Sequence, residues 1–491
     1  MSLKQKVIKG ALWSAIQSWL GQVISFVVFF VLARLLEPEA FGLIALAAVF
    51  LAFMQIFLNQ GFAEAIIQKK ELEPEHLDTA FWIAVSISLL LTLLGIGFAD
   101  VTASVLNEPL LKPIVRWLSL SFLFSGLSSV QQAILRRELA FKSLAARTLI
   151  ARFIGGAIGV VMALLGFGVW SIVCQKLSEG FAGVLLLWWV SDWRPGFKVS
   201  KRHFKELFGF GINIVGFNVL YFFNRHSDDL LIGYFLGPVA LGYYSVAYRL
   251  LMLMTNVLTQ TTAQVALPTF SRLQQEPERM RSAFYSATQL TSTIAFPCFL
   301  GMAALAPELV PTLFGQQWEP SIPVMRILAF IGVLHSVSFF QSNVILAMGK
   351  PGWRLGVNCL NAGLNVAAFA LVVLVWGKIE AVAAAYVIRG YLLSPIPLLM
   401  IRKLIGIEGS DYFRQLASPL GASIIMVGSI FAVKYLVANS ISISAQLVVC
   451  VAVGAIIYGV AIALLAPKLF GRVIELVKLA LSKSKVSKTL E

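Results

Sequence analysis

The chain has 491 residues, of which 58% are hydrophobic and 13% charged, about half the ~25% charged fraction of soluble domains. A mean hydropathy of +0.84 excludes a water-soluble fold. At roughly 20 residues per crossing and ~15 per connection the length is consumed by about fourteen membrane helices, so no soluble catalytic domain and no cofactor is expected. The formal charge of +15 would suggest nucleic acid in a soluble protein; here it is a question of which loops carry it.

In chain order the apolar blocks predict spans over 11–32, 41–63, 80–99, 114–134, 144–165, 169–190 and 208–224, then 240–266, 286–306, 322–346, 355–376, 379–401, 416–437 and 444–466. The first follows Lys4, Lys6 and Lys9 as a signal peptide would. It exceeds 20 residues and lacks a small-x-small cleavage site before Pro38, so it reads as a retained span. Cys174, Cys298, Cys359 and Cys450 all lie in apolar runs, which suits packing residues rather than a disulfide frame or metal site.

Of the 39 Lys and Arg, 27 fall on the side of the N-terminus, 5 on the other side (Arg34, Lys112, Arg225, Lys378, Lys434) and 7 within spans. That bias predicts cytoplasmic termini. Residues 194–205 and the tail, with Leu469, Val473, Val477 and Ala480 on one face and Lys468, Arg472 and Lys478 off it, fit helices lying on an anionic leaflet. Membrane lipids are the expected partner, and nucleic acid is not.

The sequence repeats at an offset of 200. Between 31 and 67, Leu36, Pro38, Ala40, Gly42, Ala47, Leu51, Met54, Leu58, Gln60 and Ala63 recur as Leu236, Pro238, Ala240, Gly242, Ala247, Leu251, Met254, Leu258, Gln260 and Ala263. A weaker echo pairs Pro113, Arg116 and Leu118 with Pro323, Arg326 and Leu328. The expected fold is an all-α polytopic membrane protein of two parallel six-helix bundles, 1–200 and 201–405, related by a pseudo-two-fold axis along the membrane normal. Two further helices (406–467) and a basic amphipathic tail (468–491) follow. Parallel halves with a site between them suit alternating access.

Several stretches carry a family resemblance: Lys6-Val-Ile-Lys-Gly-Ala-Leu-Trp13, Leu32-Ala-Arg-Leu-Leu-Glu-Pro-Glu-Ala-Phe-Gly42, Asn59-Gln-Gly-Phe-Ala-Glu-Ala-Ile-Ile-Gln68, Leu236-Gly-Pro-Val-Ala-Leu-Gly-Tyr-Tyr-Ser245, Leu313-Phe-Gly-Gln-Gln-Trp318 and Gly349-Lys-Pro351. In these the chain resembles the Wzx-type lipid-linked oligosaccharide flippases, in their colanic-acid-exporter branch, within the multidrug/oligosaccharidyl-lipid/polysaccharide superfamily. The resemblance implies a cargo of undecaprenyl-pyrophosphate-linked sugar repeat units, turned across the bacterial inner membrane through a cationic cavity lined by spans one, two, seven and eight. It also implies polysaccharide polymerase and assembly proteins as partners.

A pyrophosphate in hydrocarbon needs cations, and the planar guanidinium suits phosphate. The substrate-binding candidates are Arg249 in span eight, Arg152 and Arg147 in span five, Arg389 in span twelve, and Arg34 and Arg225 at the outer ends of spans one and seven. For each the alternative is a snorkelling or internally paired residue. Asn213 and Asn224 share a face of span seven and could bind sugar hydroxyls, whereas Asn358, Asn361 and Asn365 on span eleven favour helix packing. Glu179 is the ion-coupling candidate, against a default i, i+3 pair with Lys176. Asp228 and Asp229 read as a solvated loop neutralising Arg225, ahead of a metal or sugar site. Trp188, Trp189, Tyr243 and Tyr244 read as an interfacial belt, with sugar stacking the alternative. A cation antiporter of the same superfamily, and a membrane polymerase or glycosyltransferase, are the competing functions. The predominance of arginine among the in-span charges favours an anionic cargo.

Overall fold

The computed structural model describes residues 3–58, 66–67, 73–198, 201–437, 441–472 and 474–475; the side chains of 3–8, 11, 74, 201–215, 217 and 259–265 lie outside the described set. Among the described residues the regular structure is helical, as a chain in hydrocarbon requires if its backbone groups are to be paired within each segment. The helices are α1 (Leu3–Leu35), α2 (Pro38–Leu58), α3 (Pro74–Val105), α4 (Leu111–Arg137), α5 (Phe141–Leu164), α6 (Val169–Val190) and α7 (Lys201–Arg272). They continue as α8 (Pro277–Leu313), α9 (Ser321–Ala347), α10 (Pro351–Trp376), α11 (Ile379–Leu393), α12 (Pro395–Ile405), α13 (Gly409–Val437) and α14 (Ile443–Leu465).

Among the described residues twelve stretches are long and apolar enough to cross a membrane. One of them, Asn218–Leu258, has 41 residues, about 62 Å of helix against a hydrocarbon core of ~30 Å. It is broken at Gly237, whose φ of 81° and ψ of 175° are open to glycine and strained for other residues. The chain doubles back there. Tyr244 Oη donates to Asp228 Oδ2 at 2.8 Å, although residues sixteen apart on a straight helix would be about 24 Å apart. With the 22-residue α6 the described residues supply fourteen helical segments long enough to cross.

The expected end of span seven at 224 is therefore wrong. The polar run Arg225 to Asp229 lowers hydropathy enough to resemble a loop, yet the helix continues to the Gly237 break. Arg225 lies twelve residues before Gly237, about 18 Å along the helix, inside the helix rather than at its outer end.

The helices form two compact units, Met1–Ser245 and Val246–Glu491. In the first, α3 packs on α4, α5 on α6 and α1 on α5. Small residues let these backbones approach, since lipid gives no hydrophobic drive to associate. The ideal Cβ position at Gly155 meets Glu179 and Gln175 of α6, Gly159 meets Gln175, and Gly156 faces Val28 of α1. In the second unit α8 packs on α9, α13 and α14. There the buried Glu308 takes Lys434 Nζ at 2.7 Å, so neither charge is left alone in hydrocarbon.

The repeated Pro-x-Ala-x-Gly segments meet each other. A Cβ on Gly42 would fall on the Pro238 carbonyl oxygen, and one on Gly242 on the Pro38 carbonyl oxygen. The repeat thus encodes a reciprocal crossing of the turn before α2 and the turn at the α7 break. All four residues belong to the first unit.

Candidate functional site

Three of the candidates converge between α1, α5 and α6. Arg152 Nε lies 3.6 Å from Glu179 Oε1, with both side chains partly exposed. The Arg152 guanidinium also covers Gly21 of α1, where a Cβ would collide with it. One turn earlier, Arg147 Nε donates to the Gly183 carbonyl of α6 at 2.9 Å. Glu179 thus has an ion-pair partner across helices in Arg152. Such an arrangement can do two things chemically: it presents a guanidinium to an anion, and it holds a carboxylate whose protonation would release that guanidinium. Arg147 is committed to a backbone carbonyl, which is the internally paired alternative set out above.

The second group lies on α7. Arg225 and Asn224 are half-buried, while Asp228 is buried, not solvated. Asp228 accepts the Tyr244 hydroxyl, and His226 Nδ1 faces Asp229 Oδ2 at 3.4 Å. The His226 ring lies 5.2 Å from that of Phe222, itself against Phe53 of α2. Asp228 and Asp229 are thus built into a helix and partnered. Tyr244 is fully buried, which excludes it from an interfacial belt. Trp188 donates to the Leu127 carbonyl at 2.9 Å and is likewise structural, whereas Trp189 is 82% exposed, as a belt residue would be.

Arg249 stands twelve residues after Gly237. Its neighbours Val246, Ala247, Tyr248, Leu250 and Leu251 are buried while Arg249 itself is exposed. In the same unit Arg389 donates to Asn361 Oδ1 at 2.8 Å and lies 5.3 Å from the Tyr386 ring centroid. Tyr386 is the centre of an aromatic group, with Tyr248, His335 and Phe369 rings 6.0 to 6.2 Å away. Sequence reasoning missed Tyr386. Its spacing of three from Arg389 on one helix face was the available signal.

Arg34 is exposed in the last turn of α1, beside the buried Leu32 and Ala33. The Asn213 side chain, and the expectations placed on 59–65, 68, 473 and 476–491, lie outside the described residues. Arg116 Nη2 binds Asp100 at 3.0 Å beside Lys112 at 3.1 Å.

The family profile described as "Polysaccharide biosynthesis protein" matches residues 31–323, more than half of the chain. The chain belongs to that family. Along 439 residues it is 27% identical to the lipopolysaccharide biosynthesis protein WzxC of Escherichia coli (strain K12), covering 86% of this chain and 87% of that one. It is 26% identical over 471 residues to the succinoglycan biosynthesis transport protein ExoT of Rhizobium meliloti (strain 1021), covering 95% and 94%. Among solved structures, the lipid II flippase MurJ in an inward closed conformation superposes with a TM-score of 0.76 at 13% identity, over 94% of this chain and 99% of that one. That likeness identifies the fold, which is the one expected from the superfamily resemblance.

Proposed function

We propose that the protein is a flippase that moves an undecaprenyl-pyrophosphate-linked oligosaccharide repeat unit from the cytoplasmic to the outer leaflet of the bacterial inner membrane, for surface polysaccharide synthesis. The observation that carries this reading is the near full-length likeness to relatives named for polysaccharide biosynthesis, one of them a transport protein. The arrangement of charge supports it. The described carboxylates deep in the helices face partners: Glu179 faces Arg152, Asp228 faces Tyr244, and Glu308 faces Lys434. A cation antiporter needs carboxylates open to cargo, whereas the in-span charges here are mainly arginines, whose planar guanidinium suits a pyrophosphate.

In this mechanism the pyrophosphate dwells on Arg249 and Arg152, with Arg34, Arg225 and Arg389 as further stations and Arg147 holding α5 on α6. Asn213 and Asn224 receive sugar hydroxyls. The bundles 1–200 and 201–405 rock against each other while the polyprenyl tail stays in lipid. Glu179 is the coupling group: protonated, it frees Arg152 for phosphate; ionised, it retakes Arg152 and helps release the cargo. Both termini face the cytoplasm, where polymerase and assembly proteins would dock.

The test is lipid analysis of depleted cells. Accumulation of a cytoplasmic-leaflet undecaprenyl-pyrophosphate oligosaccharide, with loss of surface polysaccharide, is expected. Normal lipid pools with raised sensitivity to cationic drugs would replace this reading with the antiporter. In complemented cells Arg249→Ala or Arg152→Ala should abolish export at unchanged membrane abundance; unchanged export removes that residue from the site.

A further inference from the structure

One face of α8 runs through two contrasting chambers in the second unit. At its start, Glu278, Arg281, Ser282, Tyr285, Ser286 and Gln289, spaced three and four apart, line a cavity of about 810 Å³ that Lys468 and Arg472 close from beyond α14. Further along the same face, Thr293, Pro297, Gly301 and Leu305 line an apolar cavity of about 580 Å³ against Tyr458 and Gly459 of α14. The polar chamber carries three cations and one carboxylate. Along the helix its residues extend about 16 Å, and those of the apolar chamber, out to Leu309, about 24 Å. One leaflet of hydrocarbon is about 15 Å deep, half the ~30 Å core.

Local chemistry keeps both chambers in place. Pro297 has no N–H to give to the Thr293 carbonyl four residues earlier, and Tyr458 Oη donates to that carbonyl instead, fixing α14 beside α8 at the near end of the apolar chamber. Arg281 Nη1 donates to the Gly406 carbonyl at 3.1 Å, and Tyr285 Oη accepts from Glu408 N at 3.0 Å, so the polar rim is ordered. Leu469 is buried against Ala422, Ala461 and Ile462, which holds the turn carrying Lys468 and Arg472 over the cavity. At Gly459 a Cβ would meet nothing within 4 Å.

We propose that this groove is a binding site for an anionic diacyl phospholipid, with its phosphate among Arg281, Lys468 and Arg472 and one acyl chain along Pro297, Gly301 and Gly459. The charge complementarity selects the headgroup, and the continuous helix face that turns from polar to apolar selects an amphiphile over a free anion. The site lies within the second unit, on the end of α7, α8, α13, α14 and the turn after α14. The lipid is bound and not carried, so the proposal stands whatever the cargo is.

Native mass spectrometry of the purified full-length protein tests it, with phosphatidylglycerol, phosphatidylcholine, undecaprenyl pyrophosphate and inorganic phosphate as probes. One phosphatidylglycerol should be retained at least tenfold more strongly than phosphatidylcholine. Lys468→Glu with Arg472→Glu, both exposed positions, should remove that preference. Gly459→Phe should reduce retention by filling the apolar chamber, with the unfolding temperature unchanged in lipid-free detergent. Equal retention of the two phospholipids overturns the site. Displacement by inorganic phosphate with no effect of Gly459→Phe makes it a phosphate site instead, and preferential uptake of undecaprenyl pyrophosphate makes it part of the cargo path; either result overturns the proposal.

Discussion

Asp228 illustrates how a carboxylate is made tolerable inside a membrane protein. Burial would leave it costly on its own, and the Tyr244 hydroxyl from across the Gly237 reversal supplies its hydrogen bond. Tyr244→Phe removes the donor and keeps the ring, so it should cost about 1–2 kcal/mol in chemical unfolding in detergent. Asp228→Ala should cost more, about 3–5 kcal/mol if the Arg225 charge is left uncompensated. If Asp228→Ala cost no more than Tyr244→Phe, the carboxylate would be serving Tyr244 alone. Outside the membrane, Glu108 lies in the turn between α3 and α4, where burial first and then Glu39 push its carboxyl above the usual range. Folding therefore disfavours its ionised form. That penalty is absent below the unfolded carboxyl pKa of about 4.3 and grows as pH rises through the folded value. Glu108→Gln should raise the unfolding temperature at about pH 7.5 and converge with the parent near pH 4; a gain that persisted at pH 4 would assign the effect to something other than the charge.

At the scale of elements, the repeat was legible before the fold was. The conserved spacing of Pro38 to Gly42 and Pro238 to Gly242 marks the place where two backbones approach too closely for a side chain. Gly42→Ala and Gly242→Ala should each lower stability, and by similar amounts, because the clash is reciprocal. Gly237→Ala should cost about 1–3 kcal/mol through its backbone conformation alone. A thermal unfolding series comparing the three separates packing from backbone strain: Gly42→Ala milder than Gly237→Ala would mean that the crossing relaxes easily. The end of the seventh span was not legible, since hydropathy registers polar side chains and not their partners. Arg225 to Asp229 looks like a loop until Tyr244 is brought beside Asp228. The same limit applied to Glu179, whose partner Arg152 is on another helix and cannot be found by spacing along its own.

For the whole molecule, the charge asymmetry makes an orientation that chemistry can check. Moving Arg225 from the outer side into the membrane leaves the outer connections with fewer cations than the sequence count gave them and so sharpens the asymmetry. The basic ends of α8 and α10 should then face the cytoplasm, and the turn at Gln316 to Trp318 the opposite side. Cys174, Cys298 and Cys450 are at least partly buried and Cys359 is exposed, so replacing all four by Ser or Ala gives a background for single reporters. In that background Gln316→Cys, exposed in its 3-10 turn, should react with a membrane-impermeant maleimide in intact cells. Lys350→Cys, exposed before α10, should react only after permeabilisation. The reverse pattern would invert the protein in the membrane and, with it, the direction in which the arginines would first meet a pyrophosphate. Labelling of both positions from outside would instead mean that the ends of α9 share one side, which a 27-residue helix of about 40 Å can do only by not crossing.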